Sequence, residues 1–61
     1  MSNENFELLL KLYYDLSDFY FDVPESETTH VERETLNDAC ESIISVLEAH
    51  ATSPERKNLL P

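Results

Sequence analysis

Residues 6–23 of this 61-residue chain carry twelve apolar side chains and all six of its aromatic residues. Placed on a helix, they sort by character. Glu4, Glu7, Lys11, Asp15, Asp18 and Asp22 recur every three or four positions and fall in one polar stripe roughly 80° wide. Everything between them is apolar except Asn5 and Ser17. A surface helix hides about a third of its circumference. This one has to hide roughly two-thirds. One neighbouring helix cannot cover so wide an arc, so the sequence asks for a second chain.

Length leaves few other means of support. A chain of this size is one domain at most, and a monomer hides only about 60% of the surface its unfolded form exposes. The single Cys40 excludes an internal disulfide, and no Cys and His cluster offers a structural zinc site. Oligomerisation is the remaining reinforcement.

Start and stop signals divide the chain into helices. Ser2 or Asn3 can cap the first, with Glu4 and Glu7 in the first turn, and Val23 before Pro24 ends it. Thr29 and Glu32 have the spacing of a capping box, opening a second helix. The expected fold is all-α: an antiparallel hairpin with helices at about 3–22 and 30–51, forming one domain over residues 1–61. Ser53, Pro54 and Glu55 form another start signal. Residues 52–61 have two readings, a short third helix at about 54–60 that docks Leu59 and Leu60, or a frayed tail. No segment alternates with period two, so no strand is expected.

The wide arc divides by angle. Leu8, Leu9, Leu12, Leu16, Phe19 and Val23 form an aliphatic side, and Phe6, Leu10, Tyr13, Tyr14, Tyr20 and Phe21 a mostly aromatic one. We assign the aliphatic side to the second helix, which presents Leu36, Ala39, Cys40, Ile43, Ile44, Val46 and Leu47. The aromatic side, with Ser17, is then the expected dimer or partner interface, because tyrosines suit a surface partly dry and partly wet. Cys40 reads as a small buried hydrophobe.

Thirteen acidic against four basic residues give a net charge of −9. That sign excludes direct binding to nucleic acid or to anionic membranes. The apolar stretch is too interrupted by charge to span a membrane. Nothing at residues 1–5 resembles an export signal, and a lone cysteine fits a reducing cytoplasm. Asp15, Asp18, Asp22, Glu34, Asp38, Glu41 and Glu48 form an acidic surface whose internal repulsion predicts stability that rises with added salt.

No reaction chemistry stands out. His30 and His50 lie at opposite ends of the second helix, about 30 Å apart. The paired carboxylates sit on wet stripes, where general acid catalysis lacks its desolvated partner. His30 and Glu34 are spaced like two metal ligands but lack a third. The expectation is a non-enzyme without metal or cofactor.

The opening Met1-Ser2-Asn3-Glu4-Asn5-Phe6, the Tyr13-Tyr14 and Phe19-Tyr20-Phe21 clusters, the single cysteine and the acidic two-helix plan carry a resemblance. The chain resembles the very small acidic early proteins encoded in the exo–xis region of lambdoid bacteriophages. The resemblance implies action in the cytoplasm of the infected bacterium, bearing on host physiology or the choice between lysis and lysogeny. It carries over no site residues. The reading is a homodimeric protein-interaction module that modulates a host or phage factor. The alternative is a DNA mimic that occupies a basic nucleic-acid site, since carboxylates on two chains approach the charge density of duplex DNA. A structural subunit completed by a different chain is a third reading.

Overall fold

The computed structural model describes all 61 residues and is entirely helical. Helix α1 spans Asn3–Asp22, α2 spans His30–His50 and α3 spans Pro54–Leu59, with a single 3₁₀ turn at Glu25–Glu27 between the two long helices. No helix is long and apolar enough to cross a membrane.

Local chemistry sets each boundary. The Ser2 hydroxyl accepts the Asn5 amide at 3.1 Å and opens α1. Val23 turns extended ahead of Pro24 and closes it. The capping box of α2 is complete: the Glu32 amide donates to Thr29 Oγ1 at 3.1 Å, and the Thr29 amide to Glu32 Oε1 at 2.8 Å. Ser53 caps α3 by accepting the Arg56 amide, with Pro54 in the first turn.

The two long helices pack as an antiparallel hairpin, Phe6 beside Leu47 at one end and Tyr20 beside Arg33 at the other. The core is small and eccentric. Phe6, Leu47 and Ala51 are the only fully buried residues, ringed by half-buried Leu9, Leu10, Tyr13, Ile43, Ile44 and Leu60. All lie toward the end where both termini meet. The molecule is a rod of 40 × 16 × 16 Å with a radius of gyration of 13.1 Å. A compact chain of this length would have about 10.5 Å.

The tail is part of the fold. Leu60 packs against the core, and Arg56 ties three segments together. Its guanidinium donates to the His50 carbonyl at 2.9 Å, the Met1 carbonyl at 2.9 Å and Asn3 Oδ1 at 2.7 Å. It also lies 4.8 Å from the centre of the Phe6 ring. At the opposite end Arg33 repeats the device, 4.7 Å from the Tyr20 ring centre and donating to the Tyr20 carbonyl at 3.2 Å.

These contacts shift the expected division of α1. α2 meets most of the aromatic side and only the margin of the aliphatic one: Phe6 is 1% exposed, and Leu10, Tyr13, Ser17 and Tyr20 are half-buried within the chain. Leu8, Leu12 and Phe19, assigned to the hairpin from the sequence, are each more than half exposed. The physical reason is that α2 settles on the middle of the arc. Leu9 and Leu16 stay half-buried at its margin. An apolar arc of uniform character does not mark its own centre. Two arginines from distant positions mark it by covering the faces of Phe6 and Tyr20.

Candidate protein-interaction surface

With α2 on the middle of the arc, α1 keeps two uncovered apolar flanks. Leu8, Leu12 and Phe19 form the aliphatic flank, and Tyr14 and Phe21 the aromatic one. The Tyr14 hydroxyl donates to the Leu59 carbonyl at 3.4 Å, so α3 shelters that end of the aromatic flank. Phe21 has no such cover. At 77% it is the most exposed large apolar residue of the protein, braced edge-on against Tyr20 with ring centres 5.3 Å apart.

Beside Phe21 a groove runs between the long helices. It holds about 370 Å³ and is lined by Tyr13, Ser17 and Tyr20 from α1 and by Cys40 and Ile44 from α2, with Asn37, Glu41 and Ser45 along its outer wall. The floor is apolar and the wall polar, with Glu41 its one acidic residue. Serine at position 17 and cysteine at position 40 are small, which leaves the groove open at mid-length. The cysteine is accordingly half-buried rather than sealed in the core, as its place among Leu36, Ile43 and Leu47 had indicated.

A second, polar cleft of about 650 Å³ opens at the loop end, lined by Glu25, Thr28, His30, Arg33, Glu34 and Asp38 among others. Its cation is engaged, since Arg33 also donates to Thr28 Oγ1 at 3.4 Å. His30 Nε2 stands 2.9 Å from Glu34 Oε1, both side chains largely in water. No group of three or more His, Cys, Asp or Glu side chains is arranged to hold a metal ion.

Of the residues expected at an interface, Tyr14 and Phe21 are exposed, whereas Phe6, Leu10, Tyr13, Ser17 and Tyr20 are engaged within the hairpin. The expected acidic residues Asp15, Asp18, Asp22, Glu34, Asp38, Glu41 and Glu48 are all exposed. The structure has one ion pair with a permanent cation, Lys11 with Asp15 at 2.6 Å, and one contact of His30 with Glu34 that is ionic only when the imidazole is protonated. Thirteen carboxylates less those two leave eleven without a basic partner. Both arginines direct their donors to neutral oxygens instead. The hydrogen bond to Asp15, and then its charge, raises the Lys11 ammonium above its ordinary 10.5.

The sequence reading missed Leu8, Leu12 and Phe19 as exposed positions and Cys40 and Ile44 as groove residues. One signal was available for the first group: Lys11 and Asp15 border them, and a stripe that meets charge on one edge faces solvent more readily than one set deep in the arc. No family model matches the chain, and comparison with curated proteins and with solved structures likewise finds no match.

Proposed function

We propose that the protein is a homodimeric interaction module that binds and modulates another protein, a host or phage factor in keeping with the resemblance to lambdoid early proteins. The exposure of Phe21 at the mouth of an apolar-floored, polar-walled groove carries this reading. A phenylalanine left 77% in water, while the rest of the arc competes for cover, is an anchor for a partner. Glu41 in the groove wall favours a segment with Lys or Arg beside an apolar side chain. The net charge of −9 speeds encounter with such a partner. No residue cluster supports a catalytic role.

The test is affinity capture from bacterial lysate with wild-type protein and with Phe21→Ser, followed by titration of the captured protein at low and moderate salt. Phe21→Ser should weaken binding by about tenfold or more, with an unchanged melting temperature. The contact should depend only mildly on salt. A steep loss of affinity with salt, indifferent to Phe21→Ser, would instead mark the protein as a mimic of nucleic-acid charge.

A further inference from the structure

The groove beside Phe21 runs on into the polar cleft of the loop end. Tyr20 and Asn37 line both, so the two form one trough along the same side of the hairpin. Its halves differ in chemistry. The groove half has an apolar floor. The cleft half is faced by the exposed carboxylates of Glu25, Glu34 and Asp38. Glu25 and Asp38 have no basic partner, and Glu34 meets only His30. The one arginine of the cleft is turned inward: Arg33 lies 4.7 Å from the Tyr20 ring centre and donates to the Tyr20 carbonyl and to Thr28 Oγ1. Tyr20 therefore stands between an apolar and an acidic compartment, and the charges the second offers to a partner are negative.

We infer that the trough receives a helix of a partner protein, with a bulky apolar side chain in the groove against Phe21 and a Lys or Arg two turns away in the cleft. The inference deepens the partner-binding role of Phe21 proposed above and rests on it. Spacing selects a helix. On α2 the groove is lined between residues 37 and 45 and the cleft between residues 30 and 38. The midpoints of these stretches, 41 and 34, lie about 10 Å apart at 1.5 Å per residue. Positions seven apart on a helix share one face at that same distance. An extended segment fits less well, because side chains on one face of a strand fall about 7 Å or 13 Å apart. A helix laid there completes a three-helix arrangement, with its apolar anchor in the gap between the first two.

Charge selects the basic residue and excludes a second copy from this site. Lys11 is paired with Asp15, and Arg33 and Arg56 give their donors to backbone carbonyls, which leaves only Lys57 uncommitted. A chain of charge −9 is repelled by the acidic half of the trough, whereas a basic helix is drawn to it.

Selection from a displayed library of randomised helical peptides, about sixteen residues long, tests the inference on the wild-type protein. Enriched sequences should carry Lys or Arg seven positions from Phe, Leu, Met or Trp. Fluorescence anisotropy of the best peptide then compares variants at exposed sites, each checked for a retained helical fold by circular dichroism. Glu34→Gln combined with Asp38→Asn should weaken binding about tenfold, as should Phe21→Ser. Glu4→Gln combined with Asp15→Asn removes the same charge from α1 outside the trough and should change binding by less than about twofold. Equal losses from the two acidic pairs would reveal attraction to acid in general and overturn the inference. A library that yields no binder, or binders without the basic residue, would do the same. A peptide that depends on Phe21 but not on Glu34 and Asp38 would remove the cleft from the site and leave the Phe21 anchor standing. Indifference to all of these variants would sink both readings.

Discussion

Arg56→Ala tests the mechanism that joins the tail to the hairpin. In the wild type the guanidinium spans three segments: the His50 carbonyl at the end of α2, the Met1 carbonyl and the Asn3 side chain. The His50 bond is half-buried, and its acceptor carries the negative end of the α2 dipole. Such a charge-assisted bond is worth about 1–1.5 kcal/mol. The two exposed bonds add at most about 0.5 kcal/mol each, because water replaces them. Lying over Phe6 contributes a further ~0.5–1 kcal/mol. The loss should total about 2–3 kcal/mol. A chain of this length holds roughly 3–9 kcal/mol in all, so the melting temperature should fall by about 10–20 °C. Arg56→Lys keeps the charge but not the planar fork, and should recover less than half of the loss. Thermal melts by circular dichroism, at one fixed protein concentration because the proposed dimerisation would contribute to stability, measure both variants. If Arg56→Ala lies within about 0.5 kcal/mol of wild type, or if Lys restores stability fully, the tail is not held as described.

Phe6→Ala should cost about 3–5 kcal/mol and unfold the chain, whereas Phe21→Ala should leave the urea midpoint nearly unchanged, because one ring is sealed in the core and the other stands in water. Replacing both Tyr13 and Tyr20 with Glu should abolish the far-ultraviolet helical signal rather than yield a folded monomer, since both rings pack inside the hairpin. Cys40 should react with a small thiol reagent at an intermediate rate in the native protein, faster than a core thiol, and a partner seated in the groove should slow it further. Added salt at neutral pH should raise the melting temperature, because eleven of thirteen carboxylates lack a basic partner. A fall instead would mean the carboxylates are paired in solution. For Lys11 the folded-state value lies above the unfolded one, so its pairing with Asp15 stabilises fully below about 10.5 and is lost as pH rises through the raised value. Nitrogen-detected titration of Lys11 in wild type and Asp15→Asn should show the midpoint move down in the variant.

Everything governed by neighbours along the chain is legible in the amino-acid order itself. The capping box at Thr29 and Glu32, the stop at Val23 before Pro24 and the Ser53-Pro54 restart each depend on residues within four positions of one another, and all appear where expected. The solvated acidic positions follow from helical period alone. What α1 faces did not follow. Two-thirds of its circumference is apolar, so hydrophobicity offered α2 a broad choice with little energetic preference between neighbouring angles. The choice was made by contacts that span the chain: Arg56 over Phe6 is fifty positions away, and Arg33 reaches Tyr20 across the loop. The arginines also decided that residues 52–61 form part of the fold, since a hydrogen bond from Arg56 to Met1 joins groups with no periodicity in common. Local rules thus determined which segments are helices, and tertiary contacts decided which apolar flanks remain in water, because only a packed partner distinguishes one side of a uniformly apolar surface from another.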